Sequence, residues 1–169
     1  VRGKQCSSEQ VPSIAQKFPN YRSFADASLQ DIYGEGLDKG LVYKAHLFES
    51  VVLKNEKGRF AIEPLPQTCQ FSTVQGIVVE DINGDGIKDI VLAGNLFNAE
   101  IETTRADASV GVVFLGGKSG LFDQNLKPNE SGFFVPYDVK DIQAIRIGGK
   151  PSLLAGVNNN VMYFFRNIK

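Results

Sequence analysis

The sequence predicts a mainly β protein: a partial β-propeller of about two to three four-stranded antiparallel blades, preceded by a short helical segment. Three observations lead there. From Leu41 onward the chain consists of short apolar runs rich in β-branched residues, separated by Gly, Asn and Asp turn signals. The β region also repeats: Leu53-Lys54-Asn55-Glu56-Lys57-Gly58-Arg59-Phe60 matches Leu115-Gly116-Gly117-Lys118-Ser119-Gly120-Leu121-Phe122, and Val91-Leu92-Ala93-Gly94 matches Leu153-Leu154-Ala155-Gly156, both 62 positions apart (115 − 53 and 153 − 91). A unit recurring at a fixed spacing of that order is a supersecondary element that buries its apolar face by stacking on the next. The first third, by contrast, has helical spacing.

Ser7 or Ser8 is expected to cap a short helix reaching about Phe18. Asn20 caps a second, whose apolar residues Tyr21, Phe24, Ala25, Leu29 and Ile32 recur at helical spacing until Gly34. The glycine-rich stretch 34–40 reads as a linker, so residues 1–40 form a helical segment and 41–169 the blades. Runs 41–54 and 59–65 supply the last two strands of a preceding blade. Runs 71–80, 89–95, 109–116 and 120–126 form a complete antiparallel meander, a blade over about 71–127. Runs 133–147, 152–157 and 161–166 supply three strands of a following blade, the last two joined at Asn158-Asn159-Asn160, where Asn tolerates the positive φ of a tight turn. The entry strand Val79-Glu80-Asp81-Ile82 resembles Val139-Lys140-Asp141-Ile142 with a two-residue shift. Propellers close with four to eight blades. Open sheet ends invite pairing, and are expected to meet the N-terminal helices, the remaining blades of a parent protein or a second copy.

The most informative run is Asp81-Ile82-Asn83-Gly84-Asp85-Gly86-Ile87-Lys88-Asp89. It sets oxygen side chains at alternate positions around a forced turn. A calcium loop takes side chains from positions 1, 3, 5 and 9, a backbone carbonyl from position 7 and a glycine at position 6. Counting from Asp81, these are Asp81, Asn83, Asp85, Asp89, Ile87 and Gly86. The bidentate Glu that closes an EF-hand at position 12 is replaced by Leu92, inside the apolar run Ile90-Val91-Leu92-Ala93, so the loop joins strand to strand. The expected ligands of one Ca²⁺ are Asp81, Asn83, Asp85, the Ile87 carbonyl and Asp89. The same residue types also build turns without a metal. The second copy, Asp141-Ile142-Gln143-Ala144-Ile145-Arg146, lacks the ligand set.

Composition narrows the function classes. The 169 residues are 43% hydrophobic with a formal net charge of −1 and pI about 5.9. There is no basic field for nucleic acid or anionic membrane, and no apolar run long enough for a transmembrane span. The chain begins at Val1 without Met, as expected of a processed product or an excised segment. Cys6 and Cys69 are compatible with a disulfide outside the cell or with two free thiols inside it. Weak oxygen-cage sites fill at the millimolar calcium found outside cells, which favours export.

The loop-strand signature Asp81-x-Asn83-x-Asp85-Gly86-x-x-Asp89-Ile90-Val91-Leu92-Ala93-Gly94-Asn95 resembles the FG-GAP/VCBS repeat of integrin-α-like β-propellers, whose loops bind calcium. Val1–Gln10 and the run Ser131-Gly132-Phe133-Phe134-Val135-Pro136 resemble the C-terminal part of bacterial VCBS proteins carrying an ASPIC/UnbV segment. The resemblance implies an exported, periplasmic or cell-surface bacterial protein, with a protein or glycan partner outside the cell. The expectation is a non-catalytic binding or assembly scaffold. The alternative is a carbohydrate-active or other enzyme domain with its active site on propeller loops.

Other residues carry weaker signals. The loop Glu100-Ile101-Glu102-Thr103-Thr104-Arg105-Ala106-Asp107 holds three carboxylates and reads as a binding surface or as a solvated hairpin end. Glu100 and Asp107 are the pair a glycosidase reading would require. His46, expected in a strand among Ala45, Leu47 and Phe48, reads as structural. Of Phe133 and Phe134, alternation along a strand exposes one if that strand lies at an edge.

Overall fold

The computed structural model describes residues 3–101, 103–118 and 120–166. The chain divides into two compact units, Val1–Phe48 and Glu49–Lys169. The first is helical and the second is mainly β, with three antiparallel sheets that do not close on one another.

In the first unit, five short helices replace the two expected: α1 (Lys4–Gln10), α2 (Ser13–Lys17), α3 (Tyr21–Ala25), α4 (Leu29–Tyr33) and α5 (Gly36–Lys39), the last lying in the stretch read as linker. Neither Ser7 nor Ser8 caps; α1 starts after Gly3, and Ser7 is buried within it. Pro12 supplies no N–H to continue α1 and instead precedes α2. Asn20 caps α3 as expected, its Oδ1 accepting from Ser23 N–H at 2.8 Å. Ser28 opens α4 with a reciprocal capping box to Asp31, which splits the second predicted helix in two. Ile14, Phe18, Phe24 and Ile32 form this unit's own core, with Phe18 and Phe24 edge to face at 5.8 Å.

The run 41–48, expected to begin a strand, has no regular structure, and Leu41, Val42, Tyr43, Leu47 and Phe48 are exposed. A strand needs a ladder partner for its amides, and no described strand pairs with this run. His46 accordingly lies exposed in irregular chain, not in a strand.

The second unit opens with a two-stranded sheet, β1 (Val51–Glu56) and β2 (Arg59–Pro64). A four-stranded meander follows: β3 (Val74–Glu80), β4 (Asp89–Gly94), β5 (Val112–Gly117) and β6 (Gly120–Leu126), neighbours in chain order. A short α6 (Pro128–Ser131) leads to a three-stranded sheet, β7 (Val139–Ile147), β8 (Lys150–Val157) and β9 (Tyr163–Arg166). The four-stranded sheet follows the expected blade within three residues at each strand end. The strand expected from 133 starts only at Val139, because Pro136 has no N–H for a ladder and Val135 instead donates to the Val110 carbonyl at 2.9 Å. Phe133 is buried and Phe134 exposed, as alternation suggested, although neither lies in a strand.

The core sits between the four- and three-stranded sheets: Val78, Val91, Ala93 and Val113 from one meet Val139, Ile142, Leu153 and Ala155 from the other, with Phe133 and Val135 between. The two sheets approach closely at Gly76, where an added Cβ would stand 2.7 Å from Ile142 N, so no larger residue fits. Ile90, Leu92 and Phe114 line the opposite face, against Cys69 and Leu65. Strand β4 is therefore buried on both faces along its whole length.

Register corrects the alignment of the repeat. Glu80 pairs Asp89 across the loop-bearing hairpin, whereas Arg146 pairs Pro151 in the third sheet. Pro151 is 62 positions after Asp89, but Arg146 is 66 after Glu80. The connection enclosed shrinks from the eight residues 81–88 to the four residues 147–150, Ile-Gly-Gly-Lys. Asp141 thus sits at the bulge near the other end of β7, not at the counterpart of Asp81. Both cysteines are free thiols, and Cys69, in the 3-10 turn Gln67–Cys69, is buried against Ile90, Leu92 and Phe114. Among the described residues no helix is long and apolar enough to cross a membrane.

Directly beyond β4, Asn95 is fully buried at φ +97°. Its Nδ2 donates to the Ser109 and Tyr137 carbonyls at 2.8 and 3.0 Å, and its Oδ1 accepts from Ser109 N–H at 3.0 Å. One amide thereby ties the end of β4 to the β4–β5 loop and to the approach to β7. Asn95→Ala strands three part-buried backbone groups, on Ser109 and Tyr137, and is expected to cost about 2–4 kcal/mol in chemical denaturation. Asn95→Asp, which cannot donate to the two carbonyls, is expected to be no better than Ala.

Candidate metal loop

The β3–β4 loop is built by its glycines and its carboxylates. Gly84 and Gly86 adopt φ +83° and +85°, the left-handed conformation that a residue without Cβ enters at no steric cost. The chain then curls so that its amides point at the acidic side chains. Asp81 Oδ1 accepts from Gly84 N–H at 2.6 Å and Asp85 N–H at 3.1 Å, and its Oδ2 from Gly86 N–H at 2.9 Å. Asn83 Oδ1 accepts from Asp85 N–H at 3.0 Å, and its Nδ2 donates to Asp85 Oδ2 at 2.9 Å. Asp85 Oδ1 accepts from Ile87 N–H at 2.8 Å. The Ile87 amide, then the Asn83 carboxamide, hold the Asp85 carboxyl below the usual carboxylate range.

Asp89 differs from the other two acids. It is the first residue of β4 and has no solvent exposure. Its Oδ2 accepts from Ile82 N–H at 2.7 Å and Asn83 N–H at 3.3 Å, while its Oδ1 accepts from Gly116 N–H at 2.9 Å. The donor on β5 is available because a bulge between Leu115 and Gly117 takes Gly116 out of the ladder. Only glycine fits there: an added Cβ would stand 2.1 Å from the Lys88 carbonyl oxygen. Gly116 therefore belongs to the site although it lies outside the loop, and the sequence signal for it was the Gly116-Gly117 pair within a strand run.

The five residues read from the sequence thus lie in one turn. Among the described residues, no cationic side chain is within ion-pair distance of Asp81, Asp85 or Asp89; the nearby Lys88 pairs with Glu80 at 3.0 Å, and Arg146 reaches the same Glu80 carboxylate at 3.8 Å. Lys88, then Arg146, hold the Glu80 carboxyl below its ordinary range. The donor set of Asp81, Asn83, Asp85, Asp89 and the Ile87 carbonyl consists of oxygens, which suits a hard cation. An ionised carboxylate offers about four lone-pair sites, so acceptance of two or three N–H donors leaves room for a metal bond. Among the described residues no three His, Cys, Asp or Glu side chains already converge on one point. The carboxylates face the loop's own amides, and a cation would exchange some of these hydrogen bonds for metal–oxygen contacts.

The remaining sequence candidates do not gather. Asp107 pairs with Arg105 at 2.9 Å, and that guanidinium lies over the Phe97 ring at 4.7 Å. Glu100 closes a turn in which Thr103 N–H donates to its carbonyl, and Glu102 lies outside the described residues. At the other end of the strands from the acidic loop, Phe97, Asn98, Tyr137, Asp138 and Asn158–Asn160 line a cleft of about 230 Å³ that no sequence pattern announces. Burial opposes charge on Asp138, but hydrogen bonds from Lys140 (2.7 Å) and Asn158 (3.0 Å) prevail and lower its pKa. Comparison with protein families, with curated proteins and with solved structures finds no match.

Two outcomes follow for the loop. Gly116→Ala is expected to push β5 from Lys88, deprive Asp89 of a donor and lower stability by about 2–4 kcal/mol, measured by denaturant unfolding. Because the folded-state pKa of Asp85 is depressed, its stabilising contribution is present above the ordinary Asp range and is lost as pH falls through the lowered value. Asp85→Asn is therefore expected to flatten the acid limb of a melting-temperature profile below about pH 4.

Proposed function

We propose that Glu49–Lys169 is a calcium-supported β-sheet scaffold of the FG-GAP/VCBS propeller kind, acting in binding or assembly outside the cell and not in catalysis. One observation carries the reading: three carboxylates occupy one turn, one of them fully buried, with no described side-chain cation to balance them. Bound Ca²⁺ would supply that balance through Asp81, Asn83, Asp85, the Ile87 carbonyl and Asp89. The stacking of a four-stranded meander on a three-stranded one, each entered by a bulged first hairpin, is the packing that successive blades require. A protein or glycan partner remains the expected ligand, and export follows from the millimolar calcium such a loop needs. The alternative of an enzyme acting on carbohydrate requires convergent acids; Asp107, one of its two candidates, is already committed to Arg105.

A second reading has its own support. Both oxygens of Asp81, Asp85 and Asp89 already accept hydrogen bonds inside the protein, as a metal-free, self-capped turn would require. Thermal melting separates the two. Calcium at roughly a hundred times its Kd adds about 2.7 kcal/mol, which for a chain of this size raises Tm by about 5–10 °C over chelator. Asp85→Ala is expected to abolish that difference. Equal melting temperatures in calcium and in chelator would leave the self-capped turn as the correct description. Incubation with a polysaccharide panel is expected to release no product.

A further inference from the structure

Strands β4 and β8 are equivalent, since Val91-Leu92-Ala93-Gly94 matches Leu153-Leu154-Ala155-Gly156. The chain that leaves each of them lines the cleft at the ends of the two sheets: Phe97 and Asn98 after β4, and Asn158, Asn159 and Asn160 after β8. Tyr137 and Asp138, which lead into β7, complete the lining together with Val157. Three segments far apart in sequence therefore meet at one place.

Asp138 holds them together. Its side chain is 2% exposed, and its carboxylate accepts from Lys140 Nζ at 2.7 Å, from Asn158 Nδ2 at 3.0 Å and from the Phe97 backbone amide. Its own carbonyl accepts from Asn158 N–H at 2.9 Å. One buried charge thus fastens β7, the β8–β9 turn and the chain beyond β4. Tyr137 is fixed as firmly: Asn95 Nδ2 donates to its carbonyl at 3.0 Å, and its ring stacks on that of Tyr163 at 5.2 Å. Walls held in place before a ligand arrives spare the loop-ordering cost of binding.

The surface offered to a ligand is neutral and rich in carboxamides. Asp138 is the single acid of the lining, and Lys140 matches its charge. Arg105, over the Phe97 ring, is paired with Asp107. Asn98 and Asn159 are exposed, and neither carboxamide has a hydrogen-bond partner among the described residues. Asn160 spends only its Oδ1, on Val161 N–H at 2.8 Å. A carboxamide sets a donor beside an acceptor, which fits two adjacent hydroxyls; an anionic ligand would call for free Arg or Lys instead. The half-buried rings of Phe97 and Tyr137 supply apolar surface next to these groups. At about 230 Å³ the cleft is smaller than the roughly 300–1,000 Å³ that drug-sized ligands fill, and it suits one six-membered ring. An extended peptide would need a strand edge for its amides, whereas the lining apart from Val157 is turn and loop.

We propose that this cleft binds one neutral pyranose residue of a glycan, with Asn98 and Asn159 on its hydroxyls and Tyr137 against its C–H face. Glycoside cleavage uses two carboxyl groups flanking the bond, and Asp138 is alone and fully committed, so the sugar is held and released unchanged. The site deepens the reading of this chain as a non-catalytic binding scaffold and does not depend on the metal loop.

Saturation-transfer NMR with the whole chain and a panel of free neutral monosaccharides (hexoses, 6-deoxyhexoses and N-acetylhexosamines), followed by titration of those that respond, is the test. At least one is expected to bind with a Kd on the order of 1 mM, the range open to a ligand of one ring. Asn98→Ala and Asn159→Ala are each expected to raise that Kd about tenfold with an unchanged melting midpoint, because neither side chain has a partner in the fold. No response across the panel, a response confined to acidic sugars or to short peptides, or a Kd unchanged in either variant would overturn the proposal. The titration repeated in chelator is expected to give the same Kd. Sugar binding that vanishes with calcium would seat the hydroxyls on the cation and overturn the cleft, whereas loss of the calcium-dependent melting shift with sugar binding intact would count against the metal loop alone.

Discussion

Strand β4 has no exposed residue from Asp89 to Asn95, and that single condition organises the rest of the β unit. A strand buried on both faces needs an apolar layer on each side, which is why one face meets Ile142, Leu153 and Ala155 while the other meets Cys69 and Phe114. It also places a polar residue in the interior at each end. Buried polar groups that go unpaired cost about 1–3 kcal/mol each, so both ends recruit partners from distant chain. Asp89 takes the Gly116 amide from β5; Asn95 takes Ser109 and Tyr137 from the connections that follow β4 and precede β7. The loops at the two ends of the sheet are therefore located by the interior and not by their own sequences.

Glycine is needed wherever these layers come closest. At Gly76 the four-stranded sheet touches the backbone of β7, and at Gly116 the bulge of β5 touches the Lys88 carbonyl. Both positions lack the room for a Cβ, so the sheet spacing and the seat of the acidic loop depend on atoms that are absent from the side chain. The third sheet has a tighter turn, Gly148-Gly149, both at positive φ, where the second has its acidic loop. The same fold unit thus carries a charged, glycine-shaped loop in one copy and a bare hairpin in the next. The difference is four residues of chain between otherwise equivalent strand pairs.

The acidic loop balances its charge against dipoles. Seven backbone amides and one side-chain amide donate to the three carboxylates, and the neighbouring Lys88 and Arg146 are drawn away to Glu80. The arrangement preorders the turn before any ion is considered, and it leaves net negative charge there. Preordering lowers the entropy lost when a cation is taken up, while the remaining like charges repel until one arrives. Loop geometry and loop charge therefore pull in opposite directions on stability, and a cation is the agent that would reconcile them.

The sequence by itself determined the local chemistry: the alternating Asp81, Asn83, Asp85 and Asp89, the Asn20 cap, the four strands of the central meander, and the 62-residue spacing. Each depends on residues close in sequence or on a period, and period-two alternation between turn signals suffices to find a buried strand. What it did not determine required knowledge of who pairs with whom. The apolar run 41–48 has strand composition and no ladder partner; the run 133–138 approaches β7 but is interrupted by Pro136; and the second copy aligned to the wrong residues because a four-residue deletion in a turn is invisible until register is known. The roles of Gly116 and Asn95 are not legible in the sequence for the same reason, since they are hydrogen bonds to chain 27 and 42 positions away. Short-range pattern fixes which segments form strands; only the tertiary structure decides which edges are satisfied, because hydrogen-bond pairing between strands is a relation across the chain and not a property of any one segment.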